Sequence, residues 1–359
     1  MEGFSKMLLG NFMPEKTIPV AIVTEAGGAH LGAYFAALRD TPECDGVVLC
    51  DPGGSHLQEA KKVLGEKLAA AFKTPEEMLS KAKPELAMVS MEAVNTPPVI
   101  SKLLDSGCHV FAEKPACVRA EDFAPLVEKA EANQLQVQLA LANRITPCVQ
   151  KAKELIEGGL VGKLYGAEAH IVADQTRLTR KSYQDSWFSD RKRSGGGHLA
   201  WLGIHWLDLL MYLSGESITG VAGFSGNVGG QPVKAEDSNA MALRFENGAF
   251  GTLTSGYYLD TGYHTSLKLW GSDGWIEYRE HLGGRTENPL RWYANKDKKI
   301  VEYDGPMEPK GYTPWVRQCV RAAAGLEKPN MSPAEALRVL KVIFAFYEAA
   351  EKGRLDTNV

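Results

Sequence analysis

Between residue 18 and about residue 142 the chain alternates short β-rich runs with helical stretches, and no other feature restricts its fold as much. Residues 18–23, 46–50, 86–90, 109–112 and 136–139 read as strands bounded by turn residues. Strands separated by helix-length segments pair in parallel, because each return across the sheet needs a crossover, and the crossovers cover both faces. After Arg144 the pattern changes to a helix (146–157), a strand (166–172), a polar loop, a helix beginning near His198, and then several long β runs. Hairpins join those runs. Glu246-Asn247-Gly248 separates 240–245 from 249–257, and an Asn-Gly pair in that position signals a type I′ turn; Gly271-Ser272-Asp273-Gly274 repeats the device. Ser332-Pro333-Ala334-Glu335 combines an N-cap, a proline at the first helical position and a capping-box glutamate, so a final helix starts there. At 359 residues the chain exceeds one ordinary core. The expectation is an α/β protein with two domains, 17–143 and 144–359. The second is an α+β unit with a large, mainly antiparallel open sheet, whose last helix can pack back on the first domain.

Composition narrows the class of partner. A net charge of −4 leaves no basic excess for nucleic acid or an anionic membrane surface, which points to a small-molecule substrate. No apolar run reaches the roughly 18 residues of a membrane helix, and the first 15 residues show no signal-peptide pattern, so a cytoplasmic location is expected. Six cysteines are scattered without a C-x-x-C pair and read as reduced, mostly buried thiols.

The first strand runs into Ala26-Gly27-Gly28-Ala29-His30 and then a helix, the place where a doubly wound sheet holds a pyrophosphate. The G-x-G-x-x-G spacing is absent, so a plain glycine-rich turn stays open beside the dinucleotide reading. Asp51 ends the second strand about 23 residues after Gly28. A carboxylate there accepts from ribose hydroxyls and repels a 2′-phosphate, which favours NAD over NADP; the rival reading is an Asp-Pro turn starter. Farther on, the apolar run of Gly107-Cys108-His109-Val110-Phe111-Ala112 stops at Glu113-Lys114-Pro115. Ligands of open α/β sheets bind at strand carboxyl ends, so Glu113, Lys114 and Pro115 are expected at the mouth of the crevice, unless Lys114 is a solvated lysine after an edge strand.

Taken in order with Asn143-Arg144-Ile145-Thr146-Pro147 and Gly195-Gly196-Gly197-His198-Leu199-Ala200-Trp201-Leu202-Gly203-Ile204-His205-Trp206-Leu207-Asp208, these segments resemble the Gfo/Idh/MocA oxidoreductases over 18–353. The resemblance implies an N-terminal Rossmann domain, a C-terminal open-sheet domain, NAD, a sugar or polyol substrate, and a homo-oligomer built through the C-terminal sheet. It also implies that the family's catalytic lysine is Lys114, joined to Pro115 by a cis bond, and that its histidine and aspartate are His205 and Asp208. One departure stands out. The family's aspartate four residues before the histidine is here Trp201.

Residues 198, 201, 205 and 208 recur at helical spacing, so His198, Trp201, His205 and Asp208 are expected on one helix face looking at the substrate. Trp201 would offer a stacking surface to a pyranose, or else belong to the core. A divalent ion on this face is disfavoured, because the ligands would span about 15 Å at 1.5 Å per residue; no metal is expected. Oxidising a carbinol carbon needs a proton acceptor and a cation for the developing alkoxide. At an ordinary pKa near 6.5 His205 suits the first role and Lys114 the second, with the roles exchanged if burial lowers the lysine. Arg144, Trp187 and Asp208 complete the expected sugar contacts. Two other readings remain at this level: a redox-neutral, NAD-assisted lyase or glycosidase, and a non-catalytic sensor.

Overall fold

A computed structural model describes residues 16–282 and 288–353. Residues 1–15, read above as carrying no signal peptide, lie outside the described residues. The first sheet contains β1 (Ile18–Thr24), β2 (Cys44–Cys50), β3 (Leu68–Phe72), β4 (Leu86–Ser90), β5 (His109–Ala112) and β6 (Val137–Leu139). Its order is β3-β2-β1-β4-β5-β6, every pair parallel. Helices α1 (Leu31–Asp40), α2 (Leu57–Leu64), α3 (Pro75–Ala82), α4 (Thr96–Asp105) and α5 (Ala120–Ala132) alternate with the strands. The central strands are apolar nearly throughout, because helices bury both faces; all five residues of β4 are buried. Strand β3 escaped the sequence reading. Its Leu-Ala-Ala-Ala-Phe run has no β-branched residue, and as an edge strand it alternates between half-buried and exposed positions. Strand order reverses between β1 and β4, and their carboxyl ends frame the crevice in which such sheets bind ligands.

Next come α6 (Pro147–Glu157), β7 (Leu164–Asp174), the one-turn helices α7 (Thr176–Thr179), α8 (Lys181–Gln184) and α9 (Arg191–Ser194), and α10 (Ile204–Ser214), which continues a π turn at Leu199–Gly203. Seven further strands follow: β8 (Ile218–Gly226), β9 (Ser238–Phe245), β10 (Phe250–Leu259), β11 (Tyr263–Gly271), β12 (Gly274–Leu282), β13 (Leu290–Ala294) and β14 (Lys299–Glu302). With β7 they form an eight-stranded sheet in the order β14-β13-β12-β11-β7-β10-β9-β8. Only the β7–β10 pair is parallel. One face packs on α10 and, through β8, on the last helix. The other face is open and exposes Phe224, Phe250 and Trp270.

The β9–β10 hairpin forms where the Asn-Gly signal placed it, with a different turn. Phe245 N–H bonds to Ala249 O across a three-residue loop, and only Gly248 (φ 89°) has a positive φ; type I′ would need Asn247 there as well. The Asn247 side chain instead accepts from Ala249 N–H at 2.9 Å.

Helices α11 (Tyr312–Ala323) and α12 (Pro333–Lys352) return to the first sheet, α11 packing on α1 and α12 on α5 and β6. The capping box of α12 is present in both directions, Ser332 N–H donating to Glu335 at 2.9 Å and Glu335 N–H to Ser332 Oγ at 3.2 Å. All six cysteines are buried, and none is in a disulfide. Among the described residues no helix is long and apolar enough to cross a membrane.

Candidate active site

The crevice begins where β1 ends. Thr24 Oγ1 donates to Ser90 O at 2.6 Å, tying the ends of β1 and β4 together across the strand-order reversal. Immediately above this bond sits Gly28, where a Cβ would lie 2.2 Å from Thr24 Oγ1 and 2.7 Å from Ser90 O, so a side chain is excluded. Ala26 and Gly27 leave their backbone exposed, Ala29 O accepts from Ser90 Oγ at 2.8 Å, and His30 caps α1. At the end of β2 Asp51 is buried; its Oδ2 accepts from His56 N–H at 2.8 Å while Oδ1 has no partner. An unmet carboxylate acceptor beside an open glycine turn suits a dinucleotide. The turn's N–H groups can meet the pyrophosphate, and Asp51 Oδ1 the adenosine ribose hydroxyls.

Strand β5 delivers Glu113 and Lys114 to the same crevice, and the Lys114–Pro115 bond is cis. Glu113 is buried, accepting from the Tyr34 hydroxyl and pairing with His30 Nδ1 at 2.7 Å, while its Oε2 stands 3.7 Å from Lys114 Nζ. The lysine's charge and the His30 and Tyr34 bonds outweigh the burial penalty and hold this carboxyl down at about 2. Lys114 itself is 3% exposed, and burial lowers its pKa despite the opposing pull of Glu113. Its ammonium donates to Trp201 O at 3.2 Å and lies 4.9 Å from the centre of the Trp201 ring.

The glycine-rich lead into α10 lets the helix start press against the second sheet. A Cβ on Gly203 would come within 2.5 Å of Ser255 Oγ. Buried Glu236 accepts from Gly197 N–H (2.6 Å) and Leu199 N–H (3.0 Å), meeting two of the donors that a helix N-terminus leaves free. The π turn then takes in an extra residue, so the spacing 198, 201, 205, 208 does not form one face. Trp201 and His205 line a cavity of about 400 Å³ together with Lys114, Ala29 and His30. His198 and Asp208 do not. His198 is fully buried, bonded through Nδ1 to Ser255 Oγ at 2.6 Å and set edge-on to Tyr257. Asp208 takes a bidentate pair from Arg144 at 2.7 and 2.9 Å; Arg144 also meets Glu335 at 2.8 Å and Asn330 O at 3.1 Å.

Arg144 and Asp208, expected at the sugar, therefore face each other in a buried ion pair, and Arg144, in the 142–145 turn, ties α10 to α12 through Asp208 and Glu335. Trp187 is displaced too. It stacks on Phe188 (3.9 Å between centroids) and meets Trp201 edge-on, with Nε1 beside the Gly27 backbone. Trp201 combines its two expected environments, being 7% exposed in this aromatic cluster while still forming cavity wall.

His205 lines the cavity with Nδ1 unpartnered. Burial first, then the Lys114 charge, push its pKa down to about 3, far from the ordinary imidazole value. The ring is neutral at working pH. The remaining wall comes from residues the sequence reading passed over, chiefly Arg177, Arg180, Tyr183, Tyr257 and Tyr263. The signal for Arg177, Arg180 and Tyr183 lay in the polar loop after β7, where two arginines and a tyrosine fall within seven residues without helical or strand periodicity, while Tyr257 and Tyr263 sit in β10 and β11.

Comparison with known proteins places this geometry in a family. Residues 20–141 match the model described as oxidoreductase family, NAD-binding Rossmann fold, and residues 149–277 match the GFO/IDH/MocA C-terminal domain. Myo-inositol 2-dehydrogenase of Thermotoga maritima is 26% identical over 64% of this chain and 66% of its own length. D-glucoside 3-dehydrogenase of Escherichia coli is 27% identical over 47% of this chain and 46% of its own. The chain thus spans between about half and two thirds of the length of these curated relatives. Among solved structures, the WlbA dehydrogenase of Bordetella pertussis in complex with NADH and UDP-GlcNAcA superposes with a TM-score of 0.79 at 21% identity, covering 95% of this chain and all of that one. With its six-stranded parallel sheet, its second, mostly antiparallel sheet and both family models matched, this chain belongs to the Gfo/Idh/MocA family of NAD-binding oxidoreductases.

Proposed function

We propose that the protein oxidises a secondary hydroxyl of a sugar, polyol or glycoside, or reduces the corresponding ketone. The observation that carries this reading is the convergence of Lys114 and His205 on one cavity beside the glycine turn, where His30 and Ala29 belong to both. NAD supplies the hydride acceptor at this junction. Asp51, the 26–30 turn and the backbone of the Glu113–Pro115 segment are the chain's means of holding it.

The two catalytic residues divide the work by charge. In oxidation the carbinol loses a hydride from carbon and a proton from oxygen. An acceptor at pKa about 3 is a weak base, whereas a lysine lowered by burial approaches the range in which proton transfer is efficient. Lys114 therefore takes the proton, and neutral His205 accepts a hydrogen bond that orients the hydroxyl. This exchanges the roles favoured from sequence, where an ordinary imidazole value had been given to His205. Trp201 supplies an indole face to the sugar ring. The dehydrogenase relatives support a carbohydrate substrate. The open face of the second sheet, carrying Phe224, Phe250 and Trp270, supports a homo-oligomer.

Steady-state reduction of NAD over a panel of sugars, polyols and glycosides tests the assignment. Lys114→Met and His205→Asn should each cost about 10² or more in turnover, with NADH affinity and folding retained. Normal turnover by either variant would remove that residue from the mechanism.

A further inference from the structure

The cavity that holds the lysine also carries charge that the dehydrogenation itself does not call for. Arg177 and Arg180 both line the cavity, and neither forms an ion pair among the described residues. Arg177 is half-buried. Its Nη2 donates to the Tyr263 hydroxyl at 2.8 Å and its guanidinium lies 5.3 Å from the centre of the Tyr257 ring, leaving Nε and Nη1 without an acceptor among the described residues. The nearest acidic lining residue, Asp174, is occupied locally, accepting from Thr176 N–H at 2.7 Å and Thr176 Oγ1 at 2.8 Å. Of the charged groups on the wall, Lys114, Arg177 and Arg180 are cations and Asp174 alone is an anion. Glu113 balances Lys114 at 3.7 Å and the Asp174 charge offsets one arginine, so a neutral sugar leaves one guanidinium uncompensated, whereas an oxyanion would meet a guanidinium already held by Tyr263 and Tyr257.

We propose that the Arg177–Arg180 side of the cavity binds a carboxylate or phosphate on the substrate, so that the preferred sugar is acidic. This rests on the dehydrogenase reading above. Tyr257 and Tyr263 hold Arg177 in place, exposed Arg180 adds a second charge at the rim, and the sugar ring spans from there to Lys114 and Trp201.

Two measurements on the full-length protein separate this inference from the reading beneath it. The first compares kcat/KM for NAD reduction with a hexuronate, a hexose 6-phosphate and the parent neutral hexose, in the wild type, Arg177→Met and Arg180→Gln. The second is calorimetric titration of the NADH-loaded protein with the same three compounds, which needs no turnover. The expected result is an acidic compound preferred over the neutral hexose on the order of 10- to 100-fold, the scale of a charge-assisted hydrogen bond. That preference should collapse in Arg177→Met and weaken in Arg180→Gln. Whether the uronate or the phosphate shows it identifies the anion. If acidic compounds bind in an Arg177-dependent way but none is oxidised, the anion site stands and the dehydrogenase assignment falls. Should the neutral hexose be turned over as well as both acids, or neither acid bind, the anion site is overturned. Arg180 is exposed, so its variant keeps the test valid if Arg177→Met does not fold.

Discussion

Lys114 gives the account its sharpest consequence. Oxidation needs its neutral amine, so kcat/KM for the alcohol should rise with pH through a single limb whose midpoint lies below the ordinary lysine value of about 10.4. Burial lowers that midpoint, and the adjacent Glu113 carboxylate pulls the other way. Glu113→Gln removes the opposing charge and should move the limb to lower pH. His205, pushed down to about 3, should add no limb between pH 5 and 8. A wild-type profile with a histidine-like midpoint near 6.5 that vanishes in His205→Asn would return the proton to the imidazole. Trp201→Ala should mainly raise KM, because losing the indole face removes binding before and at the transition state alike. Lys114, Glu113 and Asp51 were legible as residues because strand ends fix where they emerge. The electrostatic state of His205 was not, since it depends on burial among groups distant in the chain.

The helix that follows the glycine run shows how an element can be recognised while its faces are misjudged. Residues 198 to 208 fit a regular helical spacing, but the π turn at Leu199–Gly203 rotates what lies on either side of it. Trp201 and His205 reach the cavity, while Asp208 turns to Arg144. No local residue preference announces such a turn; it follows from tertiary fit, seen where Gly203 meets Ser255. The consequence is testable by stability. Arg144→Met leaves Asp208 buried without its partner and should destabilise the fold by about 3–5 kcal/mol, read as a lower midpoint in chemical denaturation. A stable Arg144→Met protein with a raised KM would restore Arg144 to the substrate. A second ion cluster holds α11 to the first sheet, with Glu43 bonded to Arg317 at 3.0 Å and Arg321 at 2.6 Å. These arginines hold Glu43 down at about 2, below the unfolded value near 4.3. Its contribution is complete above the unfolded value and is lost as pH falls from about 5 toward 2. Glu43→Gln should therefore flatten the acid side of the stability profile, which denaturation at pH 7 and pH 3 would show.

Across the whole molecule, the division of labour follows from the two sheets. The parallel sheet was readable from its apolar runs, apart from alanine-rich β3, and the second sheet from its hairpin signals. The site between them was only half readable, because the 174–190 loop contributes Arg177, Arg180 and Tyr183 without periodicity. The exposed aromatic residues on the open sheet face predict an oligomer that sedimentation at micromolar protein should detect, and that Phe250→Glu with Trp270→Glu should weaken. NAD(H) should bind more tightly than NADP(H) through Asp51, and calorimetry with both nucleotides checks this. The proposed chemistry stands on one cavity that would join NAD to Lys114 and a sugar. Its most direct test is NADH formation by wild type and Lys114→Met on the best substrate of the panel, with NADH affinity measured in parallel. Turnover should fall by about 10² or more with nucleotide binding intact; a variant that forms NADH at the wild-type rate would remove Lys114 from the chemistry.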